Sequence, residues 1–345
     1  MSKILLIRFS SLGDVAMTVP IVYALATKYP ELEITVLSRP FCAPLFERLP
    51  ENVRFFKADL VKKYKGLKGL TNLLRELKAM HFDYVGDLHD VLRTKYLRFF
   101  LCLLGCKVAV INKDRVKKKQ LVRRDNKIFE PLKTSFERYK DVLLNLGFVL
   151  DDSFVSLHGK REKLPSKVIA ITSEKLTDTW IGVAPFARHQ GKIYPLPLME
   201  QVIHYFSKKS ETKIFLFGGG LHEAEVFDVW VRKYPNVFSL AGKINLSDEL
   251  ALINQMDIML SMDSANMHLA SLVNTSVVSI WGATHPYAGF KPFNQPDDFC
   301  LTSDRVQFPL LPTSIYGNKK VEGYEEVMRT ILPTQVVEKI NSNLT

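Results

Sequence analysis

Apolar and polar positions along this chain follow two regimes. Short unbroken apolar runs predict strands buried on both faces, and stretches with apolar residues every three or four positions predict amphipathic helices. Ile4 to Arg8 is the first buried strand. A loop, Phe9-Ser10-Ser11-Leu12-Gly13-Asp14, leads into a helix over about 15–28 that Pro30 closes, and Ile34 to Leu37 is the next strand. This strand–helix–strand unit predicts a parallel sheet. The pattern continues with a strand at Tyr84 to Gly86, a helix near Lys95 to Leu104, a strand over 107–111 and a helix from Ser135 to Leu146 that Gly147 ends.

Residues 150–175 carry little periodicity and read as a connection. The alternation then resumes. Strands are predicted at Trp180 to Ala184, Lys213 to Phe217, Asp257 to Ser261 and Ser276 to Trp281, with helices near 198–208, 223–233 and 266–272. The order predicts an α/β protein of two doubly wound domains, residues 1–165 and 175–330, facing each other across a cleft. A last helix has Pro333 at its first position, and we expect segment 331–345 to pack back on the N-terminal domain.

Composition narrows the classes. A chain of 345 residues, 47% apolar and 24% charged, has ample core material, which excludes a disordered, collagen-like or disulfide-scaffold protein. The four cysteines form no C-x-x-C pair and read as reduced thiols. No apolar run approaches the ~20 residues of a membrane span. The opening Met1 to Arg8 is too short for a signal peptide, so a cytoplasmic location is expected.

The charge is uneven. Residues 1–170 hold 32 basic and 18 acidic side chains, and residues 171–345 hold 15 and 18. Residues 61–127 alone hold 18 basic and 6 acidic. The first half therefore suits a polyanionic partner, although a solubilising lysine-rich face has the same composition.

Four loops at expected strand ends could carry chemistry. In Ser10-Ser11-Leu12-Gly13-Asp14, Gly13 permits close backbone approach, the serines offer hydroxyls, and Asp14 suits either a general base or a helix N-cap. The loop matches neither a P-loop nor a dinucleotide fingerprint. Asp263-Ser264-Ala265-Asn266-Met267-His268 opens a helix whose free N–H groups suit a diphosphate, or is simply a capped helix with a core histidine. In Ala187-Arg188-His189-Gln190-Gly191-Lys192, Arg188 and Lys192 could hold phosphate charge on a leaving group. Gly218-Gly219-Gly220 permits close approach of a nucleotide, with Glu223 or Glu225 near enough for ribose hydroxyls. Asp87-Leu88-His89-Asp90 lacks a second ligand cluster, so an acceptor loop or helix cap is the better reading than a metal site.

Taken together, these blocks resemble glycosyltransferase family 9, the ADP-heptose:lipopolysaccharide heptosyltransferases. The resemblance rests on Ile4-Leu5-Leu6-Ile7-Arg8-Phe9-Ser10-Ser11-Leu12-Gly13-Asp14-Val15 with Thr18-Val19-Pro20, on Lys192-Ile193-Tyr194-Pro195, and on Asp263 to Ala270 followed by Val277 to Pro286. It implies a GT-B fold of two Rossmann-like domains, acceptor in the first and donor in the second, with inverting transfer and neither metal nor cofactor. It implies Asp14 as catalytic base and Lys192 on the departing ADP. Donor contacts would come from Ser10, Ser11, Gly13, Arg188, Gly218, Glu223, Glu225, Asp263, Ser264, Ala265 and His268. Ala265 stands where the family has glycine, and diphosphate binding then requires that residue to lie outside the left-handed region. The acceptor implied is an anionic lipid A-Kdo core at the inner face of the inner membrane. Arg93, Lys113, Arg115, Arg123 and Arg124 are candidate acceptor contacts, and the same basic face would give peripheral contact with the membrane surface. Other readings are a GT-B enzyme with another sugar or acceptor, a catalytically silent paralogue, and a nucleic-acid module. The last finds no RRM, KH or helix-turn-helix signature, so no nucleic-acid partner is expected.

Overall fold

Every strand of the computed structural model, which describes residues 1–344, runs parallel to its neighbours in one of two sheets. The chain divides into two compact units: Met1–Lys113 with Lys133–Leu157, and Asp114–Leu132 with everything from His158 onward. Each unit has its own sheet and core.

The first unit begins with β1 (Lys3–Ile7), α1 (Leu12–Ala16), α2 (Val19–Lys28), β2 (Glu33–Ser38), β3 (Val53–Lys57), α3 (Gly66–Lys78), β4 (Tyr84–Asp87), α4 (Leu92–Leu103) and β5 (Lys107–Val110). The chain then contributes α5 (Arg115–Val122) to the second unit and returns as α6 (Ser135–Leu146). Sheet order is β3-β2-β1-β4-β5. The run Ile4-Leu5-Leu6-Ile7 is central for the reason its pattern gave: none of the four is more than 1% exposed. The single helix expected over about 15–28 is two, because Pro20 has no N–H to offer the Ala16 carbonyl. Thr18 bridges the break by donating its hydroxyl to the Val15 carbonyl at 2.7 Å. α6 occupies the span predicted, and Gly147 ends it with φ +103°, a left-handed cap that favours glycine.

The second unit continues with α7 (Ser166–Thr172), β6 (Thr179–Ala184), α8 (Leu196–Ser207), β7 (Thr212–Leu216), α9 (Leu221–Lys233), β8 (Val237–Ser239), α10 (Leu246–Ile253), β9 (Ile258–Met262), α11 (Ala265–Leu272), β10 (Val277–Trp281), β11 (Cys300–Thr302) and α12 (Pro333–Asn341). Its order is β11-β10-β9-β6-β7-β8. The strands missing from the sequence reading, β3, β8 and β11, are all sheet edges, where burial on both faces and hence an apolar run is not required.

Two expectations about domains need correction. The boundary falls at Leu157/His158 rather than at 165, and Asp114–Leu132 belongs to the second unit. Apolar burial decides this. Leu121 is fully buried with Ala288 and Ile315, and Phe129 packs beside them. The Arg305 guanidinium lies 3.3 Å from the Phe129 ring centre, and Lys127 Nζ donates to the carbonyls of Leu121 and Pro312, both at 2.8 Å. The second correction is the terminal helix, expected on the first domain. α12 lies on α8 and β10 of the second unit, with Val336, Val337 and Ile340 in one core with Ile203 and Phe206. Thr345, the last residue of that expected segment, lies outside the described residues.

Candidate functional site

Each unit places some of its candidate residues where its strand order reverses, the place where open α/β sheets leave a crevice at the strands' carboxyl ends. In the first unit the reversal lies between β1 and β4. The loop after β1 carries Arg8 to Asp14, and the loop after β4 carries Leu88 to Asp90. They are joined by Arg8 Nη1 donating to the Leu88 carbonyl at 2.6 Å and by the Phe9 N–H donating to His89 Nδ1 at 3.3 Å.

Asp14 sits in the first turn of α1. Its Oδ2 lies 2.8 Å from Arg8 Nη2 and accepts from the Ser11 N–H and the Ser11 hydroxyl, both at 2.9 Å. Asp14 is not the N-cap expected as its alternative, since Ser11 is; its carboxylate completes the capping box from the third helical position, with the side chain 26% exposed. Burial pushes the carboxyl up, but the Arg8 charge and the Ser11 hydrogen bonds outweigh it and hold Asp14 at about 2. The Ser10–Ser11 peptide bond is cis. Tyr139 is buried behind the loop and its hydroxyl donates to the Asp14 carbonyl at 3.3 Å. His89 is held down at about 3 by burial, then by the Arg8 and Lys113 charges, so its ring is neutral.

The Asp87–Asp90 stretch is a structural turn. Asp87, fully buried, accepts from the N–H groups of His89 and Asp90 at 2.9 and 2.8 Å and pairs with Arg98 at 2.7 Å. Asp90 also pairs with Arg98, at 3.2 Å. The expected helix cap is not met, because α4 is capped at Val91, whose N–H donates to Thr94 Oγ1 at 2.9 Å.

In the second unit the reversal lies between β6 and β9. The loop after β6 carries Arg188 to Lys192, and that after β9 carries Asp263 and Ser264. Lys192 Nζ lies 2.8 Å from Asp263 Oδ2, which also accepts from the Thr284 hydroxyl at 2.8 Å. The Lys192 stem lies on Gly317, where an added Cβ would come within 2.5 Å of Lys192 Cγ. Asp263 is 4% exposed, so this is a nearly buried ion pair.

Ser264 precedes α11 in extended backbone and Ala265 is the first helical residue, with no positive φ. The glycine-to-alanine departure therefore costs no strain, and the N–H groups of the first turn keep their direction. His268 is 5% exposed, on the core side of α11. Arg188 is exposed. Its neighbour His189 is held low by burial, then by the Arg188 and Lys192 charges, which marks the loop as locally positive.

The Gly218-Gly219-Gly220 turn enters α9 as predicted. Glu223 folds back onto it and accepts from the Gly219 N–H at 2.7 Å, while Glu225 is exposed. Of the acceptor candidates, Arg93 and Lys113 belong to the first unit, and Arg115, Arg123 and Arg124 to the second. Lys113 donates to the Asp90 carbonyl at 3.0 Å, and Arg123 Nε to the Asn126 carbonyl at 2.6 Å.

Sequence reading assigned no role to Arg8, Tyr139, Thr284 or Glu249, and took His89 only as part of the Asp87–Asp90 stretch. Arg8 carried a signal, a charge closing an apolar strand. Glu249 carried none: on α10, its Oε1 accepts from Asn266 Nδ2 in the first turn of α11 at 3.3 Å, and burial pushes its carboxyl up to about 7 against that hydrogen bond.

Comparison with known proteins places the chain in a family. The model of glycosyltransferase family 9 (heptosyltransferase) matches residues 70–307. The chain belongs to that family and is a glycosyltransferase. A curated relative, lipopolysaccharide core heptosyltransferase OpsX of Haemophilus influenzae, is 23% identical over 306 residues, covering 85% of this chain and 82% of the relative. Among solved structures, a family 9 glycosyl transferase of Veillonella parvula superposes with a TM-score of 0.75 at 21% identity, covering 99% of this chain and 97% of that one. Escherichia coli heptosyltransferase WaaC with ADP does so with 0.71 at 16% identity, covering 99% of each. At such identities the likeness establishes the fold: two Rossmann-like parallel-sheet domains of the GT-B class.

Proposed function

We propose that this chain moves a heptose from ADP-heptose to the inner core of lipopolysaccharide, on an anionic lipid A-Kdo acceptor, with inversion at the anomeric carbon and without a divalent metal. The observation that carries the reading is the division of labour between the two reversal points: an ionised carboxylate, Asp14, at one, and Lys192 beside the start of α11 at the other. The printed names of the curated relative, a lipopolysaccharide core heptosyltransferase, and of the neighbour, a heptosyltransferase with ADP, support heptose transfer to a lipopolysaccharide core from an ADP-linked donor.

In this mechanism Asp14 takes the proton of the acceptor hydroxyl as its oxygen bonds to the anomeric carbon. The carbon–oxygen bond to the diphosphate breaks, and ADP leaves with the electron pair. Lys192, Arg188 and the N–H groups after Asp263 and Ser264 offset the charge that develops, the service a metal gives elsewhere. Ser10, Ser11 and Gly13 border the reacting end of the donor, Gly218 with Glu223 or Glu225 the ribose, and Ala265 and His268 complete the helix start. Arg93, Lys113, Arg115, Arg123 and Arg124 meet acceptor phosphate and carboxylate groups. No helix among the described residues is long and apolar enough to cross a membrane. The proposed acceptor, a lipid, would place the enzyme on the cytoplasmic side in peripheral contact with the inner membrane.

Incubation with ADP-heptose and Kdo-lipid A, with and without EDTA, tests the reading. Heptosylated product in both is expected. No product with either, or product only on adding magnesium or manganese, overturns it in whole or in the metal-free part.

A further inference from the structure

We propose that the outward face of α4, together with the start of α3, docks this protein on an anionic lipid bilayer. α4 has two apolar sides. Thr94, Leu97 and Leu101 are buried against the first unit's sheet. On the opposite side Leu92 is 85%, Phe99 58%, Phe100 36% and Leu103 69% exposed. At ~100° per residue these four and Tyr96 share an arc of about 100°, a continuous stripe rather than scattered surface apolars. The Tyr96 and Thr71 hydroxyls are hydrogen-bonded at 2.9 Å, which ties the stripe to α3, where Leu67, one turn before Thr71, is 68% exposed.

The rim is positive. Residues 61–107 hold ten basic and four acidic side chains. Each of the four acids is engaged within the unit: Glu76 by Lys63 and Tyr64, Asp83 by the Lys3 N–H, and Asp87 and Asp90 by Arg98. Lys65, Lys68, Arg93 and Lys95 are exposed around the apolar stripe.

An apolar stripe with a cationic rim matches a bilayer whose headgroups are anionic and whose interior accepts Phe and Leu. A second copy on this face would bring two positive rims together, which costs rather than gains. The inference deepens the lipid-acceptor reading, and rests on it for the identity of the membrane.

The test is co-sedimentation of the full chain with phosphatidylethanolamine–phosphatidylglycerol vesicles and with phosphatidylcholine vesicles. Wild type is expected to bind the anionic vesicles, to be released by salt, and to ignore the neutral ones. Phe99→Glu with Leu103→Glu, both exposed and so neutral for folding by thermal melt, is expected to weaken binding about tenfold or more. Lys65→Glu with Lys68→Glu and Lys95→Glu is expected to do the same. In Phe99→Trp, emission is expected to shift blue on anionic vesicles. The three native tryptophans, Trp180, Trp230 and Trp281, are buried, so the shift reports position 99.

Failure of wild type to bind, binding indifferent to the Phe99/Leu103 change, or a wild-type oligomer that this change dissociates would each overturn the proposal. Transfer to detergent-solubilised acceptor separates the two readings. Transfer without vesicle binding sinks the docking face alone, and vesicle binding without transfer sinks the proposed reaction alone.

Discussion

Arg8 holds Asp14 at 2.8 Å, and this contact sets both the charge and the basicity of the carboxylate. With the carboxyl at about 2, Asp14 is ionised throughout the physiological range but is a weak base while Arg8 stays in place. Asp14→Asn is expected to lower turnover ~100-fold or more with donor affinity nearly unchanged, because the shape and the Ser11 contacts survive while proton uptake is lost. Near-normal turnover would remove Asp14 from the chemistry.

Arg8→Met tests the coupling itself. Loss of the guanidinium leaves burial unopposed by its charge, so the acid limb of kcat/KM should move up from near 2 toward or beyond the ordinary carboxylate range. The sign for stability follows. A lowered carboxyl contributes stability above its unfolded value of 3.8 and loses it as pH falls toward about 2. The wild type should therefore lose this contribution between those pH values, and the variant at higher pH. A pH–rate profile with an unmoved acid limb would separate Arg8 from Asp14.

Lys192→Ala has two consequences because Lys192 neutralises Asp263, which is 4% exposed. An unpaired buried carboxylate costs about 3–5 kcal/mol, so urea unfolding should show a large loss. Lys192→Met with Asp263→Asn removes both charges and should recover most of that stability. Donor affinity and rate should stay low in both variants if Lys192 acts on the diphosphate. Full donor affinity in the stable double variant would leave Lys192 a structural residue.

Glu249 should impose its own pH dependence on stability. Its carboxyl is raised from 4.5 to about 7, so the folded state holds a proton that the unfolded state has released between those values. Stability therefore falls as pH rises through this window. Glu249→Gln should melt higher than wild type at pH ~8 and nearly the same at pH ~4. Parallel melting curves across that range would show that the carboxyl titrates normally.

The acceptor contacts should reveal themselves through salt. The Michaelis constant for a polyanionic acceptor should rise more steeply with ionic strength than that for ADP-sugar, since exposed charges are screened within ~8 Å at physiological salt. Neutralising Arg123 and Arg124 together should weaken acceptor use and leave donor affinity alone. Initial rates against each substrate at low and high salt check this, and equal slopes with no effect of the double change would leave these arginines as solubilising charge.

The sequence by itself determined the repeating strand–helix order, because a parallel strand buried on both faces is read from an apolar run, as at Ile4 to Ile7 and Ile258 to Leu260. It also determined where the glycine, serine and aspartate loops fall, since each follows such a run. Tertiary structure alone decided the rest. Asp114–Leu132 reads as part of the first half, yet the burial of Leu121 and Phe129 with Ala288 and Ile315 assigns it to the second. The pairing of Lys192 with Asp263 across two loops, the elevation of Glu249 by burial between α10 and α11, and the holding of Asp14 by Arg8 within one loop depend on distances of a few ångströms. Coulombic and desolvation effects act through space, and only the folded units bring those side chains within their reach.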